Sequence, residues 1–213
     1  MARPRLVSFD LDGTLLPRTS ICLEIGKARG YRRAIQELED RYARGEISNS
    51  DVARQDAAFY RHWAVAEAES LVLSLPFIGG LRETLDTLKQ HSIHLLLVTV
   101  TWSFASHALA RAYGFDASTG ATLGERGGRF TGEFAGEFEA EEKPRFVQRY
   151  ASRHGIALQD CAAIGDSRSD LPLFREVGLP IAFNATPEAR AAARLALEGE
   201  DLRVLLPPLL DAD

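Results

Sequence analysis

Short apolar runs, separated by helix-patterned segments, constrain this chain more than any other feature. Residues Arg5 to Phe9 read as a buried strand, and so do Ile93 to Val98, Cys161 to Ile164 and Pro180 to Phe183. Apolar residues at helical spacing fill the intervals, over Leu81 to Gln90, Trp102 to Tyr113, Glu141 to His154 and Leu171 to Val177. Runs that are apolar throughout mark strands covered on both faces, and strand–helix alternation marks a mostly parallel sheet. The expected fold is therefore α/β, with a doubly wound, Rossmann-like core. Residues 116–138 add a hairpin around Gly127-Gly128, and the Ala-rich tail from Pro187 is expected to be helical.

One stretch departs from the alternation. From about Ser20 to Leu75 no strand pattern is present, and Ile21, Ile25 and Ala28, then Ile35, Leu38 and Tyr42, recur at helical spacing. Gly30 and Gly45 punctuate the stretch, and Ser48 or Ser50 can cap a further helix. It reads as an insertion, which gives a core at 1–16 and 77–213 and an all-helical cap at 17–76. Pro76-Phe77-Ile78-Gly79-Gly80 is the linker back into the core.

Composition narrows the partners. The 213 residues are 46% hydrophobic and 26% charged, enough for a substantial core, and the net charge is -5 with no basic block. Nucleic acid and anionic membrane are therefore not expected partners, and no protein partner is evident. The expected compartment is the cytoplasm, because no apolar leader or membrane-length run is seen. Cys22 and Cys161 lack CxxC spacing and read as small packing residues; the five histidines show no HxxxH spacing.

In open parallel sheets, ligands bind at the carboxyl ends of the strands. Four pieces of chemistry fall there: Asp10-Leu11-Asp12-Gly13-Thr14, then Thr99, then Lys143 opening a helix, then Gly165-Asp166-Ser167-Arg168-Ser169-Asp170. Carboxylate oxygens suit Mg²⁺, and a carboxylate is also a nucleophile that can divide one hard substitution into two steps. A hydroxyl and an ammonium can stabilise the charge on a transferring phosphoryl group. Each piece has a plainer reading: an Asx turn, a strand threonine, a solvated lysine, an acid facing a helix N-terminus. Only three basic residues are lysine, Lys27, Lys89 and Lys143, which makes a lysine at the needed place more telling. The ordered conjunction is far more specific than any member.

At these residues the chain resembles the haloacid dehalogenase superfamily of phosphohydrolases, in its phosphoserine-phosphatase-like group with a helical cap. DLDGT resembles the first motif and GDSRSDLPLF the fourth, and the run from Val98 through Thr99 to Asp116 is similar to the second-motif region. Arg44 to Ser48 and the hairpin ending in Gly128 to Gly132 resemble further features of the group. The resemblance implies Mg²⁺-dependent hydrolysis of a small phosphorylated metabolite through an aspartyl-phosphate on Asp10, with Asp12 as general acid and then base. Thr99, the Val100 amide and Lys143 would bind phosphate. Asp10, Asp166 and the Asp12 backbone carbonyl would hold the metal, and Asp170 would bind it through water or orient Lys143.

Two departures bear on substrate. Val100, Thr101 and Trp102 follow the second-motif hydroxyl where the group has small glycines, so Trp102 should crowd or stack in the pocket. Phosphoserine phosphatases carry a Glu and an Arg in the cap; Thr19 and Asp56 fall near those positions, with Glu24 and Arg54 as alternatives. Phosphoserine is therefore not expected as the main substrate. Arg18, Arg54, Tyr60 and Trp102 are the candidate specificity residues. Rival readings keep the fold but change the outcome: a phosphotransferase or phosphomutase, or a silent phosphate-binding or signalling protein. A dehalogenase is disfavoured by Asp12, since a halide needs no acid.

Overall fold

The computed structural model describes residues 3–211; the outermost positions of the expected core segments, 1–2 and 212–213, lie outside them. The chain opens on β1 (Leu6–Phe9), followed by a tight ribbon in which β2 (Asp12–Gly13) pairs in parallel with β3 (Leu16–Pro17). Four helices follow: α1 (Ile21–Arg29), α2 (Arg32–Ala43), α3 (Asn49–Asp56) and, after a 3-10 turn at Ala57–Tyr60, α4 (Val65–Leu73). Their starts are local chemistry. Ser20 caps α1 through Leu23 N–H, and Ser48 with Asp51 forms a reciprocal capping box on α3.

The α/β alternation then runs α5 (Leu81–Gln90), β4 (His94–Trp102), α6 (Ser103–Tyr113), β5 (Ala117–Arg126), β6 (Arg129–Gly136), α7 (Glu142–Arg153), β7 (Cys161–Gly165), α8 (Leu171–Phe174), β8 (Leu179–Phe183), α9 (Pro187–Ala192), β9 (Leu195–Leu197) and α10 (Leu206–Leu210). Seven strands form one sheet in the order β6-β5-β4-β1-β7-β8-β9. Every pairing in it is parallel except the β5–β6 hairpin. Strand β1 is central, with Leu6 opposite both His94 and Cys161, and β1, β7 and β8 are buried along their whole lengths. Helix α5 shows why the layers close: Leu81, Leu85 and Leu88 share one buried stripe.

Three local expectations change. Strand β4 continues past Val98 to Trp102, so Thr99 lies within the strand rather than after it. Its pairing with β5 is nevertheless irregular between Val98 and Trp102, and β1 ends opposite Leu97, so Thr99 still emerges beyond the end of its central neighbour. Helix α8 stops at Phe174, short of the expected Val177, and the chain then passes Gly178, where a side chain would meet the Gln159 carbonyl at 1.9 Å. The Ala-rich tail, expected to be helical throughout, keeps helix only at α9 and α10 and the 3-10 turn before α10. Leu195 to Leu197 instead complete the edge of β8, where ladder hydrogen bonds and the burial of alternate leucines outweigh alanine's helix propensity.

The segment 17–76 is helical as expected, although its proposed first residue, Pro17, belongs to β3. Its apolar residues divide between two clusters: Leu23, Ile35 and Leu38 form a small core of their own. Ile21, Ile25, Ala53, Tyr60, Trp63, Ala68 and Val72 join the same cluster as Val7, Phe9 and Leu97. The hairpin also reaches it, through His62 N–H to the Phe130 carbonyl (2.9 Å) and Val65 N–H to the Gly128 carbonyl (3.0 Å).

Candidate active site

Asp10 follows β1, Asp12 lies in the ribbon, Thr99 and Val100 lie in the part of β4 that runs past the end of β1, and Asp166 follows β7. All five line one cavity of about 400 Å³ at the carboxyl edge of the sheet, closed from the far side by α1, α2 and α3. Asn49 at the start of α3 ties the two walls together, donating to the Val100 carbonyl (2.9 Å) and the Phe138 carbonyl (3.1 Å).

Lys143 is fully buried behind Asp10. Its ammonium donates to Asp10 Oδ1 (2.7 Å), Asp170 Oδ1 (2.7 Å) and Ser169 Oγ (3.3 Å). The ammonium expected to bind phosphate thus lies directly behind Asp10, with its donors directed at these three neighbours. Burial alone would depress its pKa, but the Asp10 and Asp170 carboxylates raise it overall, so it stays charged. Asp170 uses its other oxygen to accept from Asp166 N–H (3.1 Å) and Ser167 N–H (3.2 Å), which fixes both Lys143 and the loop.

One cation faces three carboxylates. Oxygens of Asp10, Asp166 and Asp170 lie within 4.8 Å of one another, and Asp166 Oδ1 is buried without a hydrogen-bond partner among the described residues. Burial and mutual repulsion raise Asp10 and Asp166 above the usual carboxylate range. An all-oxygen donor set with excess negative charge and one orphaned oxygen fits a hard divalent cation such as Mg²⁺, with Asp10 and Asp166 as its side-chain ligands. Gly13 is required beside them: its φ is +81°, and a Cβ would lie 2.1 Å from Asp166 Oδ2.

Asp12 stands apart from that cluster. Its Oδ1 accepts from the Ile21 backbone N–H at 2.7 Å, tying it to the first turn of α1. Burial pushes its carboxyl up to about 7, with the Ile21 and Thr101 hydrogen bonds opposing. A carboxyl poised near neutrality can both give and take a proton.

The specificity candidates divide. Trp102 is on the cavity wall and donates its indole N–H to Asp56 Oδ2 at 2.7 Å. Arg18 reaches only the rim, with a side chain 81% exposed and paired to Glu200. Arg54 lies off the site, ion-paired to Glu137 at 2.7 Å and stacked over Phe134. Tyr60 is a core residue, fully buried among Trp63, Trp102, Phe104 and Phe130. Glu24 is engaged by Thr19 and Lys27. Sequence reasoning missed Glu39, which lines the cavity with Ser20 Oγ as its donor. The available signal was an acid on the same stripe of α2 as Ile35 and Leu38.

The family model for haloacid dehalogenase-like hydrolases matches residues 7–175. A phosphoserine phosphatase of Methanocaldococcus jannaschii is 26% identical over 96% of this chain and 97% of its own length. One of Archaeoglobus fulgidus is 29% identical over 93% of this chain, which spans only 58% of that relative. A solved structure described as a phospho-aspartyl intermediate analogue of phosphoserine phosphatase superposes with a TM-score of 0.86 at 24% identity, over 98% of this chain and all of the other, a likeness of fold. The expectation against phosphoserine gains no support from relatives bearing that name. On the match from residue 7 to residue 175, the chain belongs to the haloacid dehalogenase-like hydrolases, and its relatives place it among the phosphoserine-phosphatase-like members of that family.

Proposed function

We propose that this chain hydrolyses a small phosphate monoester in two steps, with Asp10 as the nucleophile and Asp12 as the proton carrier. The observation that carries the reading is the pairing of a buried, lysine-held carboxylate at Asp10 with a second carboxyl two residues on, whose pKa is pushed up to about 7. The relatives' names agree with it.

An Asp10 oxygen attacks phosphorus, and the bond from phosphorus to the ester oxygen breaks as Asp12 delivers its proton to the departing alcohol. Water then attacks the phosphorus on Asp10 while Asp12 takes one of its protons. The phosphorus–Asp10 bond breaks, inorganic phosphate leaves, and both residues return to their starting state. Lys143 holds Asp10 in place and supplies a fixed positive charge; Thr99 and the Val100 amide line the space for the phosphoryl oxygens. Mg²⁺, held by Asp10 and Asp166 with the Asp12 carbonyl, would supply charge that offsets the phosphate and favours ionised Asp10. Segment 17–76 acts as the cap that excludes water.

Small phosphorylated metabolites are the expected partners. No helix among the described residues is long and apolar enough to cross a membrane, and the cytoplasm is the compartment we assign. The test is phosphate release from a panel of esters with Mg²⁺, with and without chelator, on wild type and Asp10→Asn. Chelator-sensitive turnover that Asp10→Asn lowers by at least about 10³-fold is expected for loss of a nucleophile. Full activity in that variant would sink the mechanism, and transfer to an added alcohol in preference to water would favour a phosphotransferase.

A further inference from the structure

The cavity extends past the reacting carboxylates into a region whose charged groups are mostly acids. Asp56, Glu39 and Asp40 line it from α3 and α2. Asp56 is 1% exposed; Oδ2 accepts from Trp102, while Oδ1 is buried with only the Tyr60 hydroxyl and Cys22 thiol nearby as neutral donors and no well-formed hydrogen bond among the described residues. A buried carboxylate oxygen left unpaired is costly, so a cation arriving there gains both hydrogen bonding and charge.

The basic groups on the same wall are placed differently. Arg18 points to solvent and pairs with Glu200. Arg168 stacks over Tyr42, 4.8 Å from the ring centroid, and donates to the Tyr42 carbonyl. Neither is a buried guanidinium waiting for a carboxylate. Trp102 adds an indole on the wall beside Asp56, a surface that favours cations over anions.

We infer that this end of the cavity selects phosphate esters whose alcohol carries a cationic nitrogen, held by Asp56 and Glu39, and makes no provision for a carboxylate. The inference rests on the phosphatase reading and adds a substrate class to it. Burial raises both carboxyls, Asp56 to about 6 and Glu39 to about 7, the Ser20 hydrogen bond and the more distant Arg32 offsetting only part of the rise at Glu39.

The test compares kcat/KM with Mg²⁺ for three matched esters: 2-aminoethyl phosphate, 2-hydroxyethyl phosphate and carboxymethyl phosphate, with phosphoserine as the ester bearing both groups. The amino ester is expected to exceed the hydroxy ester by at least about tenfold, the factor of one modest ionic contact. The carboxy ester should be slowest, and phosphoserine slower than the amino ester. Asp56→Asn, and separately the less buried Glu39→Gln, should each narrow the amino-to-hydroxy ratio. Equal rates for the amino and hydroxy esters, a faster carboxy ester or phosphoserine, or ratios unchanged in both variants would overturn the inference while leaving the phosphatase intact. Turnover of none of the four would overturn both readings.

Discussion

Replacing Asp56 by Asn should stabilise the protein at pH 8 relative to pH 5. The Asp56 carboxyl ionises near 3.8 in an unfolded chain and near 6 in the fold, chiefly because burial disfavours its charge, against the pull of Trp102. A group whose folded value is raised lends stability that is complete below its unfolded value and disappears as pH climbs through the folded one. Between pH 5 and pH 8 the wild type should therefore lose roughly 1.4 kcal/mol through this residue alone. Asparagine does not titrate, so the variant escapes that loss. It keeps an oxygen for the Trp102 indole N–H, but brings an amide whose unmatched hydrogens cost about 1–3 kcal/mol at either pH. The informative quantity is thus the variant-minus-wild-type difference at pH 8 less that at pH 5. Urea unfolding of both proteins, in chelator, measures it. The reasoning fails if that double difference is near zero or negative.

Three further perturbations probe other parts of the site. Gly13→Ala, which forces a side chain onto φ +81° and against Asp166, should cost about 1–3 kcal/mol and raise the Mg²⁺ needed for half-maximal turnover, read from unfolding and metal titrations. Lys143→Met leaves Asp10 and Asp170 buried without their cation. It should lower the unfolding free energy by about 3–5 kcal/mol and turnover by at least about 10²-fold, with the stability loss smaller at pH 5, where Asp10, already raised by burial, can take up a proton. Arg54→Ala removes only half-exposed ion pairs, so kcat/KM should stay within about twofold and stability should fall by less than about 1 kcal/mol.

What could be read from the sequence was what is encoded locally. Strand β1 is a run of four apolar or small residues, and the acids follow strand ends in the order the chemistry needs, so Asp10, Asp12 and Asp166 were legible without a fold. Helix orientation was not. On α3, Asn49, Ala53 and Asp56 are buried while Arg54, one residue and about 100° on from Ala53, points to the hairpin. Periodicity says that such a helix has an inner face but not whether a residue on it meets the cavity or the core. Tyr60 met the core for this reason, and Glu39 met the cavity. Strand β9 escaped notice because three residues carry too little pattern, and the open edge of β8 decides their conformation.

The position of β1 in the sheet also shapes how the molecule is assembled. Its two ladder partners are β4 and β7, both far downstream in the chain. As the polypeptide is synthesised, the capped helices α1 and α3 can begin to form from neighbouring residues, whereas Leu6 to Phe9 must wait for His94 to Leu97 to gain one neighbour and for Cys161 to Gly165 to gain the other. Closing such long loops before any reward is collected slows folding, and the waiting strand is a ready surface for self-association. The proposed nucleophile, attached to the end of that strand, precedes nearly every residue it works with and is among the last to gain its setting.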